Sequence, residues 1–155
     1  MNGQSRLTYV ESLMRKNYNA LGFIPRTAIE RHDQLGQLWL QYENDEPCGY
    51  LIFGTGWPVC KVWQCCIQID ARRQQSASQL MQSLITKCED AGYSAISLRC
   101  ADDLESNSFW SAFGFHFVKQ SQGGMSRGRK INHWVFDLEN SKQLRFFPAV
   151  QAPAR

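Results

Sequence analysis

The chain has no apolar run long enough to span a bilayer, and its first residues, Met1-Asn-Gly-Gln-Ser-Arg6, lack the apolar core of a signal peptide. A cytoplasmic protein with no membrane association is the expectation. Its six cysteines, Cys48, Cys60, Cys65, Cys66, Cys88 and Cys100, include no Cys-x-x-Cys and no paired histidine spacing. Neither a disulfide framework nor zinc is indicated, and no metal is expected. Most sit in apolar runs and read as buried free thiols acting as small hydrophobes. Cys65 and Cys66 are neighbours on a β-like run, so at most one of them faces a cleft. A large excess of one charge is also missing: 17 Lys and Arg against 14 Asp and Glu leave +3. That balance does not by itself imply nucleic acid, which stays a lesser alternative. There is no internal repeat and no low-complexity segment.

What is present is material for a core. With 155 residues, 43% hydrophobic and 12% aromatic, the chain is far from a disordered composition and large enough for one packed α/β domain. That domain is expected over residues 1–138, followed by a tail, 139–155, without periodicity. Phe146 and Phe147 in the tail are available to dock on the body or on another subunit, which leaves room for a homodimer.

The run Val62-Trp-Gln-Cys-Cys-Ile-Gln-Ile69 is rich in β-branched and aromatic residues and reads as a strand. It leads into Asp70-Ala71-Arg72-Arg73. From there Ala77, Leu80, Met81, Leu84, Ile85, Cys88 and Ala91 alternate in steps of three and four, which places them on one helical face, and Gly92 ends the helix. A second apolar run, Ala95-Ile-Ser-Leu98, precedes a short helix from about Leu104 to Gly114. The result is a β-α-β-α series. A helix N-terminus offers unpaired backbone N–H groups and the positive end of the macrodipole, so a strand-turn-helix entry carrying Arg72 and Arg73 suits a pyrophosphate.

On these residues the chain resembles the GNAT superfamily of N-acetyltransferases. The family's Arg/Gln-x-x-Gly-x-Gly/Ala is matched by Arg72-Arg-Gln-Gln75-Ser-Ala77, with Gln75 where the family has glycine. Its Phe-Tyr-x-x-x-Gly-Phe is matched by Phe109-Trp110-Ser-Ala-Phe-Gly114-Phe115. The resemblance covers about Leu7 to Leu138. It implies a mixed α/β (α+β) fold with a central sheet of about six or seven strands flanked by about four helices. It also implies acetyl-CoA as co-substrate, held by Ile67, Ile69, Arg72, Arg73, Gln74, Gln75, Ser76, Ala77, Asp103, Phe109 and Trp110. Asp103 stands where the family often has an asparagine.

Trp110 stands where a tyrosine hydroxyl often protonates the leaving thiolate. An indole N–H is a donor without usable acidity, so Trp110 can pack or hydrogen-bond but cannot serve as general acid; Cys100 and Ser108 are weak substitutes. The backbone N–H of Gln68 or Ile69 is expected to polarise the thioester carbonyl. For a general base the residues offer Asp70, Asp102 and His116, while Gln64, Cys65, Cys66 and Gln68 on the strand are not strong bases.

The N-terminal third reads as the acceptor side. Tyr9, Val10, Leu13 and Met14 follow helical spacing; Asn19-Ala-Leu-Gly-Phe-Ile-Pro25 breaks the helix, and Thr27 is expected to cap a second helix through His32. Phe23 and Ile24 line an acceptor pocket or plug the core. Two strands, Gln37–Glu43 and Cys48–Phe53, are joined by a turn, Asn44–Pro47. Only about six residues precede the first helix, so the family's first strand is short or missing. The segment Ser121 to Lys130, glycine-rich with Arg127, Arg129 and Lys130, is either a solvated hairpin loop or an electropositive lip over the acceptor site.

The leading function is acetyl transfer from acetyl-CoA to a primary amine of a small molecule or protein by direct attack. The alternative is a non-catalytic acyl-CoA-binding or interaction module on the same fold. A third possibility is that the basic lip engages tRNA or DNA.

Overall fold

The computed structural model describes residues 2–69, 73–123 and 128–138. In chain order its elements are α1 (Gly3–Lys16), α2 (Tyr18–Leu21), α3 (Arg26–Gln34), β1 (Leu38–Glu43), β2 (Glu46–Gly56), β3 (Val59–Ile67), α4 (Arg73–Ala91), β4 (Ala95–Ala101), α5 (Ser106–Phe113), β5 (His116–Gln122) and β6 (Lys130–Asp137). The six strands form one mixed sheet in the order β1-β2-β3-β4-β6-β5, in which β3 and β4 are parallel while β1/β2, β4/β6 and β6/β5 are antiparallel. The described residues fall into two compact units, one drawn from Met1–Gly54 and Val62–Met81, the other from Thr55–Lys61 and Gln82–Arg155.

In the first unit α1 starts at Gly3, ahead of the apolar periodicity, because the Asn2 side chain accepts the Ser5 N–H at 2.8 Å and caps a polar first turn. No strand precedes it among the described residues. The stretch expected to break the first helix overlaps α2, one turn of helix closed at Gly22, which makes five helices among the described residues where about four were expected. Thr27 does not cap the next helix: α3 begins at Arg26 behind Pro25, whose φ of −62° and ψ of 150° set the entry. The hairpin loop is shorter than Asn44–Pro47. Asn44 and Asp45 alone turn the chain, at φ 52° and 65°, with Glu43 opposite Glu46, as a two-residue type I′ loop requires. Leu7, Val10, Leu13 and Met14 of α1 pack with Leu38, Tyr50, Ile52 and Cys66 of the sheet. Removing such side chains from water contributes about 1.5–3 kcal/mol each, which holds α1 on the strands.

In the second unit, α4 and α5 end by the same device. The N–H groups of Gly92 and Tyr93 close on Glu89 and Cys88, and those of Gly114 and Phe115 on Ser111 and Trp110, with φ of +84° and +126° at the two glycines. That is a Schellman closure in both cases, and it needs a residue without Cβ at the left-handed position. On the buried side of α4 lie Leu84, Ile85 and Cys88, as the periodicity predicts, whereas Ala91 is exposed.

Candidate active site

β3 stops at Ile67, and α4 starts at Arg73. The strand end is fixed by a close approach: a Cβ on Gly49 would lie 2.6 Å from the Cys66 carbonyl oxygen and 3.0 Å from Ile67 Cα, so only glycine fits there. Alongside it, the Gln68 N–H donates to the Cys48 carbonyl at 2.7 Å. Of the two backbone groups expected to polarise a carbonyl, that of Gln68 is therefore spent on the sheet. Ile69 follows it, an isoleucine 79% exposed. Asp70 and Arg72 lie outside the described residues, as do the side chains of Arg73 and Gln74.

The first turn of α4 is anchored from beneath. Ser76 is 1% exposed, and its hydroxyl donates to Glu43 Oε2 at 2.5 Å, with Cys48 Sγ 3.8 Å away. Its side chain is thus committed inward. Gln75 is exposed beside it. A 19-residue helix whose first turn is pinned by a small side chain leaves its N-terminal N–H groups available to an anion. The residues present fit a pyrophosphate.

Cys65 is poorly placed to act as a nucleophile. Burial, helped by neighbouring Cys66, pushes the Cys65 thiol up to about 12. At neutral pH its thiolate fraction is negligible. Gln64, 4% exposed, accepts the Tyr50 hydroxyl at 2.8 Å and donates to the Leu21 carbonyl at 3.3 Å, so it is a structural link. Tyr9 differs: its hydroxyl is the one buried side-chain N or O atom without a hydrogen-bond partner among the described residues, and burial raises its pKa well above the ordinary tyrosine value.

On the acceptor side, Phe23 and Ile24 separate. Ile24 is 8% exposed and belongs to the core, whereas Phe23 is 76% exposed. Both border a pocket of about 230 Å³ with Met14, Tyr18, Glu11 and Arg15. Glu11 is ion-paired with Arg26.

In the second unit Asp103 and Arg129 meet in a salt bridge of 2.8 Å. The Arg129 guanidinium holds the Asp103 carboxyl below the usual carboxylate range. One cation of the expected lip is thereby matched by a residue expected to touch the cofactor; Arg127 lies outside the described residues. Trp110, 7% exposed, packs edge-on against Phe109 at 4.9 Å and Phe115 at 5.4 Å, and Phe113 and Phe115 stack on toward Phe136. The Cys100 thiol is raised by burial, with Ser106 Oγ at 3.2 Å. Asp102 and His116 are exposed; Asp102 accepts from Gln120 at 3.5 Å.

Sequence reasoning passed over three polar residues that the fold makes central: Tyr9, Glu43 and Asn107. Tyr9 was counted as an apolar face member and Glu43 as a strand end. Asn107 lies inside α5, where asparagine is a poor helix former, and that misfit was the available signal.

These features define a class. The sequence profile of the Acetyltransferase (GNAT) family matches residues 6–115. The chain belongs to that family of acetyltransferases. A search of curated protein sequences returns no match. Among solved structures it is similar to Ard1 from Thermoplasma volcanium, with TM-score 0.77 and 11% identity over 88% of this chain and 94% of that one. It is also similar to the ribosomal-protein-S18-alanine N-acetyltransferase of Escherichia coli, with TM-score 0.69 and 13% identity over 89% and 90%. A third is the aminoglycoside 6'-N-acetyltransferase of Enterococcus faecium, with TM-score 0.71 and 12% identity over 88% and 93%. At these identities the likeness is one of fold. Among the described residues no helix is long and apolar enough to cross a membrane.

Proposed function

We propose that the protein transfers the acetyl group of acetyl-CoA to a primary amine of a small molecule or protein by direct attack, and that it does so in the cytoplasm. The observation that carries the reading is the β3–α4 junction, where an N-terminal helical turn anchored through Ser76 and Glu43 follows a strand closed onto Cys48 and Gly49. Acetyl-CoA would be held by the free backbone N–H groups at the start of α4, with Arg72 and Arg73 as counter-charge. When bound it supplies an activated thioester. The chain's part is positioning, with Ile69 as the backbone donor to the carbonyl and Phe23 beside the acceptor. Trp110, packed among Phe109 and Phe115, gives no proton. A thiolate with pKa near about 8.5 takes its proton from solvent.

The test is calorimetric titration with acetyl-CoA, followed by an acetylation screen over amines, peptides and aminoglycosides. Saturable binding that is lost in the Arg72→Glu, Arg73→Glu variant, with an unchanged melting temperature, supports the site. Equal affinity in that variant removes it. A second reading, a non-catalytic acyl-CoA-binding module, is favoured by the burial of Trp110 where the resemblance implies an acid; binding without transfer to any acceptor would select it.

A further inference from the structure

One face of the second unit carries basic side chains in register across three strands. Arg99 of β4 lies opposite His133 of β6, and His133 lies opposite Lys119 of β5. Directly opposed residues of antiparallel strands point to the same face, so the three form one row spanning two interstrand spacings, about 10 Å. α5 occupies the other face, where Asn132 and Trp134 reach Asn107 and Phe136 meets Phe113. Arg99 and Lys119 are exposed and His133 is half-buried.

Arg99 and Lys119 flank His133 from the two adjoining strands, which sets two cations on one short strip of sheet. Among the described residues neither Arg99 nor Lys119 is ion-paired; at the end of β4, Asp103 is taken by Arg129. Asp102 accepts from Gln120, whose amide reaches it from the α5 side. Asp137 stands at the far end of β6, opposite Ala95. The imidazole is also oriented, since His133 Nε2 and Ser121 Oγ are 2.7 Å apart. Burial first, then the charges of Arg99 and Lys119, hold the His133 pKa below the ordinary imidazole value. At neutral pH the row is two cations flanking a neutral ring that gains a third charge when an anion compensates it.

We propose that Lys119, His133 and Arg99 form a recognition site for a small polyanion, a ligand with two or more carboxylate or phosphate groups within about 10 Å. The short span favours a small ligand over nucleic acid. A polymer would need cations continuing along β5, where Gln120, Ser121 and Gln122 stand instead. The site is read from binding alone and does not rest on acetyl transfer.

The test titrates citrate, then pyrophosphate, into the full chain at constant ionic strength while the His133 ring is followed by NMR. The expected result is a saturable shift of His133 and a rise in its titration midpoint on binding. Facing the ring are Arg99 from β4, Lys119 and Ser121 from β5, and Ile131 and Val135 on β6, with His116, opposite Val135, next along the same face. Arg99→Gln with Lys119→Gln should weaken citrate at least tenfold; Lys87→Gln, exposed on α4, should not. Lys119→Gln alone, on the edge strand, keeps the test open if the double variant melts early. Equal affinity in these variants overturns the proposal, as does a shift reproduced by chloride at matched ionic strength. Binding of an RNA oligonucleotide with none of citrate or pyrophosphate would also overturn it. Acetyl-CoA affinity in the double variant is expected to stay within twofold, so failure of the row and failure of the β3–α4 site give different results.

Discussion

Asn107 Oδ1 accepts the Trp134 indole N–H at 2.9 Å, and the same oxygen accepts Asn132 Nδ2 at 3.0 Å while Asn107 Nδ2 donates to the Ala101 and Leu104 carbonyls, both at 2.8 Å. One amide thus uses both ends to tie the end of β4 and the start of α5 to β6. A group so fully committed has nothing left for a ligand.

Replacing Asn107 by Ala should therefore cost about 2–3 kcal/mol, since it strands the Asn132 and Trp134 donors in a part-buried place, whereas the Ala101 and Leu104 carbonyls keep backbone N–H partners. Asn107→Asp should also be destabilising, because a carboxylate would face two carbonyl oxygens. Urea unfolding checks both; a loss under about 1 kcal/mol in the Ala variant would show that water replaces the amide.

For Tyr9 the opposite sign is expected. Its hydroxyl is buried and unpaired, so Tyr9→Phe removes a desolvated group and no hydrogen bond. Stability should be unchanged or higher by up to about 1 kcal/mol. A loss above about 1 kcal/mol by thermal melting would mean that the hydroxyl has a bound water or a partner in solution.

Trp110→Ala should cost about 3–5 kcal/mol, because the ring fills the space between Phe109 and Phe115. Trp110→Phe should cost much less and keep most turnover. A hundredfold fall in turnover for the Phe variant, at saturating acetyl-CoA and unchanged melting temperature, would assign the indole N–H a chemical part.

Cys65 should alkylate slowly. With its thiol pushed up to about 12 by burial, the reaction with iodoacetamide at pH 7.5 should run at least a hundredfold slower than that of a free thiol and speed up only as pH climbs. Rapid labelling of Cys65, which is half-buried, would show in the peptide mass that its thiol is not held up in the folded chain.

The apolar repeat of α4 was legible because burial of one face imposes a period on the residues, and β3 was legible from its β-branched and aromatic content, although it runs over Val59–Ile67 and not Val62 to Ile69. Gly92 and Gly114 were legible for the same reason: a left-handed helix end excludes most side chains. Capping by Asn2, the extra turn α2 and entry at Pro25 were not, since each rests on backbone hydrogen bonds with no apolar period. At the candidate site, the sequence marks which residues stand at the β3–α4 junction but not their direction. Ser76 reads as a ligand contact, and only its 2.5 Å bond to Glu43, 33 positions earlier, shows that its hydroxyl is turned inward. Likewise nothing local brings Arg99, Lys119 and His133 together; a strand register does.

β5 lies at the sheet edge with all seven residues exposed, and its register slips between Phe117 and Lys119. An edge with Phe117 and Val118 outward is a template for another chain, and a bulge beside a lysine is a recognised way of spoiling that template. Lys119 would then keep molecules apart in a crowded solution by the same charge that draws an anion to the sheet. Anions that settle on the row would lower that repulsion, so concentrated stocks should cloud sooner in citrate than in chloride of equal ionic strength.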